Sequence, residues 1–249
     1  MKRLIRAEIL KLRTTPLLAW MAVGAVGLVA VSVVAGVLGA GDHGNPSLDT
    51  SAGVRNVIAA AAATNLTVLI IGILVVTNEF RHGTITSTFL VTPARTTVVA
   101  AKLITSAIVG LAFGVAGSLL TLAVALPWLH AKDVSVAFLT RDVGLVTVGA
   151  VIAATLYGAI GTSVGSLVRN QVAAVGGTLA WVMVVEALLV SLLPDVGRWL
   201  PGGAANALVG TTTPKGGLLP MWGGALLFGA YALILVAAGS RFAVRRDVG

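Results

Sequence analysis

Six apolar stretches, at residues 17–39, 57–76, 103–126, 143–168, 172–193 and 219–238, each come close to or exceed the roughly 20 residues that a helix needs to cross about 30 Å of hydrocarbon. They are too long, and too uniformly apolar, for the strands of a membrane barrel, which run about ten residues and alternate in polarity. The expected fold is therefore all-α, a polytopic membrane protein with six transmembrane helices in a single domain over 1–249. Composition agrees: 57% of residues are hydrophobic, 10% are charged and the mean hydropathy is +0.99. A soluble domain carries roughly 25% charged residues, because water must wet its surface. The polar connections are too short to house a soluble catalytic domain. The first run, from Leu17 to Ala40, exceeds the 7–15 apolar residues of a cleaved leader, so it is expected to remain as the first span.

The net charge of +8 suits a nucleic-acid binder in principle, but the basic residues sit at the ends of apolar runs. Anionic lipid headgroups are their expected counter-charges, and no nucleic acid is expected as a partner. Sidedness follows from their distribution in the connections. With both termini cytoplasmic, the inner segments hold Lys2, Arg3, Arg6, Lys11, Arg13, Arg81, Arg95, Lys102, Arg169, Arg241, Arg245 and Arg246. The outer ones hold Arg55, Lys132, Arg141, Arg198 and Lys215, diluted by Asp42, Asp49, Asp133, Asp142 and Asp195. Twelve against five predicts both ends inside, and a multi-pass protein of a cytoplasmic membrane is expected.

The connections differ in character. Residues 41–56 carry the Gly, Asn, Pro, Asp and Ser of a solvated loop. Arg169, Asn170 and Gln171 make a tight inner turn. Residues 194–218 are broken by Pro and Gly yet include Trp199, Leu200, Ala204, Ala205, Ala207, Leu208 and Val209, which predicts a re-entrant outer segment of short helices; an ordinary outer loop is the alternative. Ahead of the first span, Ile5, Ile9 and Leu12 fall at helical spacing among basic residues, as in an amino-terminal interfacial helix, although Leu4 and Leu10 fall off that stripe. A plain orientation signal accounts for the charges equally well.

Catalytic and metal chemistry find little support. Gly161-Thr162-Ser163-Val164-Gly165 matches GxSxG, but it lies inside a predicted span, while His43, His82 and His130 lie in loops. Small residues four apart in a span point to close helix packing. There is no cysteine, no HExxH and no acidic cluster, so no metal site is expected. No phosphate-binding GxxxxGK loop followed by Ser or Thr is present. The chain is not expected to be an enzyme, and any energy-driven work must draw on another polypeptide. Glu186 is the one acidic residue well inside a span, and it is expected either to line a substrate path or to bond to a neighbouring helix or to the re-entrant segment.

The inner connection 78–102 is the most informative. It begins Asn78-Glu79-Phe80-Arg81-His82-Gly83-Thr84 and then mixes Thr86, Ser87 and Thr88 with Ile85, Phe89, Leu90 and Val91. Gly83 permits a turn, and Thr92-Pro93 reads as an N-cap followed by Pro at the first helical position. A short amphipathic helix held beside the membrane is expected, available to a partner. This run, ending in Ala94-Arg95 and followed by Ala101-Lys102, resembles the first cytoplasmic loop of the permease subunits of type-2 ATP-binding-cassette exporters. The resemblance extends to Ala7-Glu8-Ile9-Leu10-Lys11-Leu12-Arg13-Thr14-Thr15, to Glu186 with Leu192-Leu193-Pro194, and to Trp199-Leu200-Pro201. It implies a coupling loop that docks on a separate ATPase subunit, with Glu79, Phe80, Arg81, His82, Thr84 and Thr86 at or near the contact. It further implies ATP and Mg bound on that partner and none in this chain, a second permease copy or a related permease, and export of a hydrophobic or amphipathic substrate. A non-transporting membrane scaffold or sensor that recruits a cytoplasmic partner is the alternative.

Overall fold

The computed structural model describes residues 1–42, 44–92, 94–134, 141–212 and 217–245. His43, Lys215 and Arg246 lie outside them. Among the described residues twelve α-helices follow one another: α1 (Lys2–Thr14), α2 (Pro16–Leu38), α3 (Ser51–Ile58), α4 (Thr64–Arg81), α5 (Ile85–Val91), α6 (Arg95–Ala131), α7 (Arg141–Val168), α8 (Gln171–Ala180), α9 (Ala187–Leu192), α10 (Pro194–Gly197), α11 (Pro201–Val209) and α12 (Met221–Arg245). A 3-10 segment, Ala59–Ala63, joins α3 to α4, and a π-helical segment, Trp181–Glu186, joins α8 to α9. Six helical spans among the described residues are long and apolar enough to cross a membrane: Pro16–Leu38, Ser51–Arg81, Arg95–Ala131, Asp142–Val168, Gln171–Leu192 and Met221–Phe242. The protein is an all-helical, multi-pass membrane protein.

The helices outrun the apolar stretches that announce them. The third apolar run covers 103–126, but α6 extends from Arg95 to Ala131, about 55 Å at 1.5 Å per residue. Hydropathy marks the segment that lipid accepts, whereas the helix runs on past it at both ends, at the carboxyl end through Pro127. The same effect shortens the inner connection: α4 runs on to Arg81 and α6 begins at Arg95, so Glu79, Phe80 and Arg81 occupy the last turn of a helix. Thr92 is the C-cap of α5, and Ala94 is the N-cap of α6. The expected start at Thr92 is thereby displaced by two residues; Pro93 lies outside the described residues.

The second span is the axis of the bundle. About 78% of its apolar stretch is buried, against 11% for the fifth, which leaves the fifth at the periphery. Glycine sets the central contacts. A Cβ on Gly161 of α7 would lie 2.2 Å from the Leu69 carbonyl oxygen of α4, and one on Gly158 would lie 2.3 Å from the Ser106 carbonyl oxygen of α6. The GxSxG match is thus a packing face: Thr162 is fully buried, and its hydroxyl donates to Ser106 Oγ at 2.7 Å. The adjoining core includes Ile58, Leu69, Val146, Tyr157 and Phe228, with the Tyr157 and Phe228 rings 4.8 Å apart.

Contacts between connections define the two ends of the bundle. At one, α1 meets the ends of α4 and α6, and Arg81 Nη1 donates to Gln171 Oε1 at 3.1 Å, joining the end of α4 to the start of α8. At the other, Thr212 donates its backbone N–H to Asn56 Oδ1 at 2.8 Å. Tyr231 donates to the Trp199 carbonyl at 2.9 Å. There α11 folds back into the bundle between α7 and α12, with Ala204, Ala205, Ala207, Leu208 and Val209 buried. It is a packed element where a solvated loop was the alternative.

Candidate functional site

Helix α1 is amphipathic in a way that its hydrophobic stripe only half discloses. Leu12 is buried with Ile71 and Val75 of α4, and Ile5 and Ile9 are half-buried. Leu4 joins that face, and Leu10 stays outside, 61% exposed. Glu8 falls three residues after Ile5 and four before Leu12, on the same face, so helical geometry drives a carboxylate inward along with the apolar side chains. It is 5% exposed.

What receives it is Lys102, at 3% exposure. Its three ammonium hydrogens meet three acceptors: Glu8 Oε2 at 2.8 Å, Glu79 Oε1 at 2.8 Å and the Val75 carbonyl at 3.1 Å. Lys11 closes the set, with Nζ 2.7 Å from both Glu8 Oε1 and Glu79 Oε1. Two acids and two bases from α1, α4 and α6 form a neutral cluster. It locks the amino-terminal helix to the helix ends that bracket the 82–94 connection. Burial alone would push the Glu8 carboxyl up; the Lys102 charge and hydrogen bond, with Lys11 behind them, prevail and hold it below its ordinary 4.5. For Lys11, burial pulls down, while hydrogen bonds to Glu79 and Glu8 prevail and raise it above 10.5.

The set of residues expected at a partner contact divides. Glu79 is 7% exposed and engaged in the cluster. Phe80 is half-buried, its ring centroid 5.0 Å from the Arg169 guanidinium carbon. Arg169 itself adopts φ 58°, the left-handed geometry that lets the α7–α8 turn close so tightly, and Asn170 caps α8 by accepting from the Ala173 N–H at 3.0 Å. Arg81, His82, Thr84 and Thr86 are exposed. His82 ends α4 with Nδ1 2.8 Å from the Asn78 carbonyl, and the Thr84 carbonyl accepts from the Ser87 and Thr88 hydroxyls at the start of α5. Leu90 is 79% exposed on α5. The connection therefore has a rooted base, Glu79 and Phe80, and an exposed rim formed by Arg81, His82, Thr84, Thr86 and Leu90.

Sequence reasoning missed Glu8 and Lys102 as a pair. Two signals were present: the only acid in a basic helix sits on its apolar face, and a lysine interrupts the run from Val98 to Ile104.

Glu186 lies apart from this cluster. It is 2% exposed at the end of the π-helical segment, and its Oε1 accepts the Gly202 N–H, in the first turn of α11, at 2.7 Å. A carboxyl oxygen there satisfies one of the N–H groups that a helix leaves free in its first turn. Its bond to the folded-back segment is one of the two roles expected of it. The same carboxylate also lines a cavity of about 340 Å³ between α4, α7, α8 and α12. Among the described residues no group of acids and histidines is arranged to hold a metal ion. Comparison with protein-family models finds no match, and comparison with curated proteins finds none.

Proposed function

We propose that the chain is the transmembrane subunit of an ATP-driven exporter that moves a hydrophobic or amphipathic substrate across the cytoplasmic membrane. Its basic end faces the cytoplasm, and a separate ATPase subunit, which holds ATP and Mg, docks on the rim of the 82–94 connection. Two such permease chains pair with two ATPase chains. The observation that carries this reading is the joining of an exposed short helix to a buried ionic root. A pushed α5 cannot move alone, because Glu79 at its base is tied to α1 through Lys11 and to α6 through Lys102. Force arriving at the rim is thus delivered to three helices. ATP acts by favouring one state of the bundle over another through that contact.

Leu90→Asp tests it. Burying a leucine on docking contributes about 1.5–3 kcal/mol, so the substitution should weaken ATPase association by roughly tenfold or more. Tagged chain purified in mild detergent from its native host should carry ATP-hydrolysing activity, and the Leu90→Asp chain should reach the membrane in equal amount without it. Undiminished activity with the variant contradicts docking at this rim. A stable partner with no ATPase activity would favour the scaffold.

A further inference from the structure

The cavity beside Glu186 has the chemistry of a binding site. A ligand assigned to it rests on the exporter reading, to which it adds a substrate class. Its lining is apolar apart from Thr178, Tyr157 and the carboxylate, and among the described residues it contains Trp181 and Phe228 but no basic side chain. At about 340 Å³ it reaches the lower part of the range of small-molecule sites, roughly 300–1,000 Å³.

Three features converge on a ligand here, and the first and third on its sign. First, Glu186 is a carboxyl group at 2% exposure in apolar surroundings, and its ionised form is costly there unless a counter-charge arrives. The Gly202 N–H gives Glu186 a dipole to bond, and among the described residues no basic side chain pairs with it, so a bound cation would be the partner that favours its ionised form. Second, the six residues Trp181–Glu186 are π-helical within an otherwise regular span, and such turns are frequent at functional sites. This one carries both Trp181 and Glu186, at its two ends, to the same cavity. Third, aromatic rings attract cations through their electron-rich faces, and three aromatic residues line a space of this size. The wall made by the fifth span is a single helix thick, with Met183, Val184 and Leu188 exposed on its outer side, so an amphiphile dissolved in lipid has a short route inward.

We infer that this cavity binds a hydrophobic monovalent cation, with Glu186 as its counter-charge and Trp181, Tyr157 and Phe228 as its aromatic lining. Neutral and anionic amphiphiles of the same size bind poorly.

The purified chain in nanodiscs of uncharged lipid provides the test, with tetraphenylphosphonium as the cation and tetraphenylborate as its anionic counterpart of nearly equal shape. Saturable binding of the cation and none of the anion is expected. Glu186→Gln keeps an acceptor for the Gly202 N–H, so the fold should persist with an unchanged melting temperature while cation affinity falls by at least about tenfold. Trp181→Leu should weaken binding in the same direction and leaves the carboxylate in place if Glu186→Gln proves unstable. Equal affinity for the two ions, no saturable cation binding by folded wild-type chain, or unaltered binding by both variants would overturn the assignment. The assay contains no ATPase, so its failure leaves docking at the α5 rim standing, and failure of that docking leaves this result standing.

Discussion

Lys102→Met is expected to lower stability by about 3–5 kcal/mol and to release α1 from the bundle, because it removes the buried ammonium and leaves two buried carboxylates sharing the single charge of Lys11. Lys11 keeps its contacts of 2.7 Å to both, but one ammonium cannot neutralise two carboxylates, and its side chain is 51% exposed, where an ion pair is worth less. Thermal unfolding in detergent measures the loss, and a cysteine introduced at Leu12, buried in the intact protein, reports the release of the helix. The loss should shrink when Glu8→Gln is added, since the second change removes one of the two carboxylates. It should also depend on pH in a fixed direction. The folded Glu8 pKa is depressed, so the stability it lends is fully present above 4.5 and disappears as pH falls through the lowered value. Lys11 mirrors this: its contribution is present below 10.5 and fades as pH rises through the raised value. Wild type and Lys102→Met should therefore converge in acid. A variant that melts within about 1 kcal/mol of wild type at neutral pH would show that the cluster holds nothing together.

Gly161→Ala is the second large effect. A single methyl group there would sit 2.2 Å from the Leu69 carbonyl oxygen and 3.1 Å from the Gly72 Cα, closer than any side chain can relieve because both obstacles are backbone. The central helices α4 and α7 must separate, which opens the buried Thr162–Ser106 hydrogen bond to strain as well. Overpacking a core costs about 1–3 kcal/mol where side chains can yield, and here the loss should meet or exceed the upper figure. Gly176→Ala is the matched control. Nothing lies within 4 Å of a Cβ at Gly176, and alanine is the better helix former, so it should be neutral or slightly stabilising. Equal melting temperatures for the two variants would contradict the backbone-to-backbone contact.

The spans were legible because lipid imposes one requirement on all of them, a long apolar run, and length alone separates such runs from strands. The folded-back α11 was legible for a related reason: Ala204, Ala205, Leu208 and Val209 are too apolar for a solvated outer loop. The two Gly residues of the GxSxG match announced packing, since a nucleophile buried in a span has no histidine to serve it. What stayed hidden were partnerships across the chain. Glu8 finds Lys102 94 residues away, and Lys11 finds Glu79 68 residues away. Periodicity places a residue on a face but cannot say which other face will meet it. Helix ends were hidden as well. Glu79 and Phe80 read as loop because the sequence turns polar there, while the backbone continues for another turn and points the two side chains inward.

Docking at the α5 rim requires the basic end to face the compartment that holds ATP. The chain has no cysteine, so a single one at exposed Thr84 is an unambiguous probe. An impermeant thiol reagent should leave it unmodified in intact cells and label it fully once the membrane is permeabilised. Ready labelling in intact cells would place the α5 rim outside, beyond the reach of any ATPase, and would contradict the proposed function.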